Sequence, residues 1–296
     1  MEREQIDYPV IDAHVHLYPD ALAPKVTPAL GAKFGNPPSF DGTVAGCRAA
    51  DARSGIAASL NLPVATAAHQ VAHANDFWSA HVPDVEAERL SGRPAVFSLA
   101  SLHPGFVDKP AELERVKSLG FTGVKFHPEY QLFRFNDPAM DDTWAAMSEL
   151  GLVAYLHAGG ERVFSPPFHS TPGEIRDLHR RFPSLRIVAA HLGGFRMWDE
   201  AEEVLAGQDV YLDLSHTFFW MDDGQILRIV RKHGARRILF GTDAPWQDPG
   251  EVLGACLDMP LSCAEFRAIL HDNACALFGI GVQRGKKIET PCCAEA

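Results

Sequence analysis

Eight short runs of β-forming residues, each followed by a stretch with helical spacing, constrain this chain more than any other feature. The runs are Val10–Ala13, Ala57–Leu62, Ala95–Ser101, Gly123–Phe126, Val153–Leu156, Arg186–Ala190, Val210–Leu214 and Arg237–Phe240. They are apolar on both faces, as strands of a parallel sheet covered by helices should be. Between them, apolar residues recur at helical intervals. Leu113, Val116 and Leu119 do so in Ala111–Leu119, Trp144, Met147 and Leu150 in Met140–Leu150, and Ile226, Ile229 and Val230 in Ile226–His233. Gly120, Gly151 and Gly234 stand where those helices should stop. Strand–helix alternation repeated eight times predicts an α/β fold closed into a (β/α)8 TIM barrel. A chain of 296 residues suits one such barrel of ~250 residues with insertions. The expected organisation is a single domain over residues 1–296. Its barrel spans about residues 8–281, Leu261–Phe278 forms a closing helix, and 282–296 is a mobile tail.

The longest gap between strands follows the first one. It holds Tyr18–Phe40, with Pro19, Pro24, Pro28, Pro37 and Pro38. That density of proline argues against one regular helix, so the segment is expected to be an inserted loop, either a lid over the barrel mouth or a surface excursion.

A net charge of -11 argues against a general nucleic-acid partner, which requires a basic face. No run of ~18 apolar residues occurs, so no helical membrane span is expected. Met1–Pro9 has no basic start and no apolar core of the kind a secretory signal carries. Cys47, Cys256, Cys263, Cys275, Cys292 and Cys293 form no CxxC pair and read as free thiols of a cytoplasmic protein. The expected partner is a small-molecule substrate, and the composition leaves room for a homo-oligomer.

In a parallel barrel the loops after the strands build the functional face, so metal-capable residues at strand ends carry the chemistry. His14 and His16 follow the first strand as H-x-H, and positions i and i+2 of a strand point to one side. His157 directly follows Val153–Leu156, His191 directly follows Arg186–Ala190, and Asp243 follows Arg237–Phe240 by a Gly–Thr step. A lone histidine is usually a hydrogen-bonded structural residue. Four histidines and an aspartate at four strand ends instead form a donor set suited to zinc or another first-row divalent ion. Lys125, Arg134 and Arg162 follow strands four and five and could meet a carboxylate or phosphate. His127, two residues after Lys125, lies at the same strand end. His103, His169 and His216 are further candidates for contacts around the site.

Ile11–Asp12–Ala13–His14–Val15–His16, Gly123–Val124–Lys125–Phe126–His127–Pro128, Leu156–His157–Ala158–Gly159, Ala190–His191–Leu192–Gly193–Gly194 and Gly241–Thr242–Asp243–Ala244–Pro245–Trp246 resemble the amidohydrolase superfamily. The resemblance is strongest to its amidohydrolase 2 branch, which includes aminocarboxymuconate-semialdehyde decarboxylase and related aromatic-acid decarboxylases. It implies one divalent ion, usually zinc, on His14, His16, His157 and Asp243. It places His191 as a general base or second-metal ligand, and it implies a second ion if Lys125 is carbamylated. Lys125, His127, Arg134 and Arg162 are then expected to bind substrate, with Asp243 and His191 moving protons. Two reactions remain open. The first is hydrolysis of a C–N or C–O bond in an amide, lactone or ester by a metal-activated water. The alternative is non-oxidative decarboxylation of an aromatic or unsaturated acid.

Overall fold

The computed structural model describes residues 3–80, 92–281 and 288–291. Its strands in chain order are β1 (Arg3–Ile6), β2 (Val10–Val15), β3 (Ile56–Asn61), β4 (Ala95–Ser98), β5 (Ala100–Ser101), β6 (Gly123–Phe126), β7 (Val153–Leu156), β8 (Ile187–Ala189), β9 (Tyr211–Asp213), β10 (Ile238–Leu239) and β11 (Ile288–Pro291). Contacts gather the chain into two compact units. One holds the described parts of 1–61, 82–97 and 214–296, the other those of 62–81 and 98–213.

In the first unit β2 is buried along its whole length. It pairs in parallel with β3, and β4 continues that sheet. The other edge of β2 bonds to the residues that follow β10. Ala13 N donates to Phe240 O at 2.8 Å, Asp243 N to His14 O at 2.8 Å and His16 N to Ala244 O at 2.7 Å. Pairing on both edges carries the strand past its expected end at Ala13, so His14 lies inside it. It also sets Asp243 beside His14, far apart though they are in the chain.

The proline-rich excursion departs from expectation, because Ala23–Phe34 is a helix. Pro24 sits in its first turn, where a backbone N–H has no acceptor within the helix. Pro28 forfeits a single bond, the one to the carbonyl four residues earlier. Pro19, Pro37 and Pro38 lie outside the helix, so the proline count overstated its cost. Gly35, left-handed at φ 65°, ends it. Beyond it, Asn36 Nδ2 donates to Trp246 O, and Ser39 Oγ reaches Pro245 O and Gln247 O at 3.1 Å each. The excursion is thereby tied to the loop that follows Asp243.

The second unit is a run of parallel strands in the order β5-β6-β7-β8-β9, with Lys125 opposite Tyr155 and Leu156 opposite Ala189. Every residue of β6, β7 and β8 is buried, as two-sided apolar runs require. The helices Lys109–Ser118 and Pro172–Arg181 start on Asp108 and Thr171, whose side chains accept from Ala111 N and Glu174 N. Trp144 of the helix Asp141–Leu150 is fully buried and donates to Phe135 O at 3.1 Å. Strands β8, β9 and β10 are shorter than their apolar runs suggested. Each gives way to a left-handed residue just beyond its end: His191 (φ 58°), His216 (φ 51°) and Asp243 (φ 63°).

Two further features were not expected from the sequence. Ile288–Pro291, inside the anticipated tail, pairs antiparallel with β1. Four residues were too short a run to register as a strand in the pattern. The tail's other residues, with Cys292 and Cys293, lie outside the described residues. Cys47, Cys256 and Cys275 are free thiols, but Cys263 is disulfide-bonded. Pairing depends on proximity in space, which spacing along the chain does not reveal. Among the described residues no helix is long and apolar enough to cross a membrane.

Candidate metal centre

Three donor atoms converge in the first unit. His14 Nε2 and His16 Nε2 lie 3.2 Å apart, and each lies 3.1 Å from Asp243 Oδ1. Donors bonded at ~2.0–2.2 Å to one ion stand about 3 Å from each other, so the triangle has the size of a coordination face. Hydrogen bonding alone satisfies it poorly. A neutral imidazole has one N–H, and His14 Nδ1 is already engaged by Ser215 Oγ at 2.9 Å. With its proton there, His14 turns the Nε2 lone pair toward the other two donors, and a cation fits that arrangement.

The surroundings hold this geometry in place. Buried Asp12 accepts from His14 N at 3.0 Å, Thr242 N at 3.0 Å and Thr242 Oγ1 at 2.5 Å. One carboxylate thus fixes the backbone beneath two ligands. Burial pushes the Asp12 carboxyl up to about 7 against the pull of those bonds. At Gly241 a Cβ would stand 2.9 Å from His14 Cβ, so only glycine lets the two strands approach. Asp243 and His216 are both left-handed, an uncommon state for residues other than glycine and one concentrated at functional sites. His216 Nδ1 stands 2.5 Å from Asp243 Oδ2. Burial alone would raise Asp243, but the imidazoles of His216 and His14 hold its carboxyl well below the usual carboxylate range.

A second group occupies the other unit. His127, at the end of β6, stacks on His157 with ring centroids 3.9 Å apart and planes 10° apart. His157 Nδ1 is 3.1 Å from His191 Nε2, and its Nε2 is 2.9 Å from Gly160 O. His127 Nε2 lies 3.7 Å from Glu161 Oε2. Asp213 supports the group: its Oδ1 accepts from His191 N at 2.9 Å and its Oδ2 from Tyr155 OH at 2.6 Å. Lys125 is wholly buried, with Nζ 5.0 Å from the centre of the Tyr155 ring. Buried Glu129 takes His169 Nδ1 at 3.0 Å. Arg134 is exposed and paired with Glu174 at 2.6 Å, and Arg162 N donates to Glu161 Oε1 at 2.5 Å.

Of the residues expected from sequence, the structure thus gathers His14, His16 and Asp243 in one unit and His127, His157 and His191 in the other. Sequence reasoning passed over Asp12, Ser215, Asp213 and Tyr155, and it singled out His216 only as a general contact. Asp12 lay inside a quoted motif, and Ser215–His216 directly follows an apolar run. Nothing local marked either as a support for residues more than 200 positions away.

A family model for amidohydrolases matches residues 11–280, and the chain belongs to that family. It is an enzyme of the amidohydrolase type. No curated protein matches it. Among solved structures, it is similar to 5-carboxyvanillate decarboxylase from Sphingomonas paucimobilis, with 16% identity over 92% of this chain and 99% of that one and a TM-score of 0.70. A dihydroxybenzoic acid decarboxylase from Polaromonas sp. JS666, with bound manganese and the inhibitor 2-nitroresorcinol, shares 19% identity over 92% and 97% at a TM-score of 0.67. A protein assigned as 2-pyrone-4,6-dicarboxylic acid hydrolase, from Pseudomonas putida, shares 17% identity over 94% and 100% at a TM-score of 0.62. The fold is accordingly the (β/α)8 TIM barrel expected from the strand–helix rhythm.

Proposed function

We propose that this enzyme is a divalent-metal-dependent, non-oxidative decarboxylase of a small aromatic or unsaturated carboxylic acid. The observation that carries the metal is the triangle of His14 Nε2, His16 Nε2 and Asp243 Oδ1, with sides of 3.1–3.2 Å. The family resemblance adds His157 to the ligands and gives His191 a role in proton transfer. Nitrogen and carboxylate donors accept zinc or manganese, and manganese is bound in the similar dihydroxybenzoic acid decarboxylase. The motifs by themselves also suit hydrolysis of an amide, lactone or ester. Decarboxylation is preferred because decarboxylases recur among the similar structures, beside an assigned hydrolase.

Bound at these residues, the ion would supply Lewis acidity toward a substrate oxygen. Losing CO₂ breaks one C–C bond and leaves an electron pair on carbon, which must then receive one proton. His216 Nδ1 stands 2.5 Å from Asp243 Oδ2, and Asp243 and His191 are proposed to move that proton. Lys125, His127 and Arg162 are proposed to bind the acid's carboxylate.

The test is CO₂ release from hydroxybenzoates and muconate-like acids by protein loaded with manganese or zinc. We expect release that chelator removes, metal restores and His14→Ala abolishes. No release from any acid, together with turnover of lactones or amides, would overturn decarboxylation in favour of hydrolysis.

A further inference from the structure

We infer that the Ser215–His216 step orients two of the three converging ligands, Ser215 setting His14 and His216 setting Asp243, without itself supplying a ligand. The inference rests on the metal site proposed above and adds the residues that determine how firmly it grips its ion. Both residues leave the end of β9, and both are buried. Their contacts diverge to ligands on two other strand ends. Ser215 Oγ lies 2.9 Å from His14 Nδ1, and His216 Nδ1 lies 2.5 Å from Asp243 Oδ2.

Each contact fixes what a ligand would otherwise be free to choose. An imidazole can carry its proton on either nitrogen. With Ser215 accepting from Nδ1, the proton is held away from the ligating Nε2. A carboxylate can turn either oxygen, or both, toward an ion. With His216 occupying Oδ2, Asp243 presents Oδ1 alone to the two imidazoles. The step is itself held from three sides. Leu214 N donates to Leu239 O at 3.0 Å, Thr217 Oγ1 to Leu214 O at 2.6 Å, and His216 N to Gln247 Oε1 at 3.2 Å. These bonds sustain the left-handed backbone of His216, at φ 51°, which an unsupported histidine would leave. Gln247 closes the circuit, since it follows Asp243 by four residues and its own carbonyl is held by Ser39.

The experiment measures Mn²⁺ affinity by competition with a chelator, on purified apo full-length protein, for wild type, Ser215→Ala, Ser215→Thr, His216→Ala and His216→Asn. Loss of a group that orients a metal ligand typically weakens binding about 10–100-fold, and each alanine variant is expected to fall in that range. Threonine keeps the hydroxyl and asparagine keeps a donor, so both should recover most of the affinity. A merely structural role would not follow that pattern. In apo wild type, ¹⁵N NMR should show the His14 proton on Nδ1, and Ser215→Ala should release it. Thermal unfolding of the apo variants checks folding, and if His216→Ala does not fold, the Ser215 pair and the NMR signal decide. Unchanged Mn²⁺ affinity in the alanine variants, with wild type binding one ion, overturns the orienting role alone. A wild type that binds neither Mn²⁺ nor zinc overturns the metal site, and the orienting role with it.

Discussion

Asp51 offers a quantitative test of how this interior treats charge. It lies on the helix Val44–Ser54 and is fully buried. Its Oδ2 accepts from Ser59 Oγ at 2.8 Å and from Cys47 Sγ at 3.5 Å, while Oδ1 has no hydrogen-bond partner among the described residues. Burial first, and then the negative charge of Asp12, push its carboxyl from 3.8 up to about 8, against the pull of Ser59, Cys47 and Arg48. Near neutral pH Asp51 is thus protonated in the folded protein and ionised in the unfolded one. Folding takes up a proton, so stability is greatest at low pH and falls as pH rises through the window between about 4 and 8. The slope is roughly 1–2 kcal/mol per pH unit, or roughly 6 kcal/mol over the whole span. Asp51→Asn removes the titration, and its amide oxygen still accepts from Ser59 and Cys47. Urea unfolding of both proteins at pH 5, 6, 7 and 8, with chelator present, should show the variant gaining on wild type at each step. Asp12, raised to about 7, titrates in both proteins, so most of its contribution cancels in the difference. A gap between the two that stays flat from pH 5 to 8 would refute the argument, since it would mean that Asp51 is ionised in the folded state.

Two further substitutions probe each unit in turn. Gly241→Ala places a methyl 2.9 Å from His14 Cβ. It should cost about 1–3 kcal/mol of stability and weaken Mn²⁺ binding, as read by denaturant unfolding and chelator competition. Tyr155→Phe removes the 2.6 Å bond to Asp213 and leaves a buried carboxylate oxygen short of a donor. It should cost about 1–3 kcal/mol and lower kcat through the loosened His191 backbone, with secondary structure unchanged by circular dichroism.

Much of this protein is legible in one dimension because the relevant periods are local. Strands buried on both faces print continuous apolar runs, and β6 and β7 fall where those runs predict. The two-residue period of a strand brings His14 and His16 to one side whatever else the chain does. The proline count after β2 misled, because the cost of a proline depends on its position in a helix and not on its number. The strand ends at β8, β9 and β10 were overrun for a related reason. Apolar composition continues to Ala190, Leu214 and Phe240, one residue past each paired strand and short of left-handed His191, His216 and Asp243.

By itself, then, the sequence determined the strand–helix rhythm, the paired histidines at the end of β2 and the candidate ligands at other strand ends. Only the tertiary structure decided that Asp243 lies beside His14 and that Asp12 braces both. It alone set Ser215 and His216 behind two ligands, paired β1 with β11 and put Cys263 in a disulfide. Each of these depends on which distant strands and loops become neighbours. That choice is made by backbone pairing and burial across the whole chain, and no local period records it.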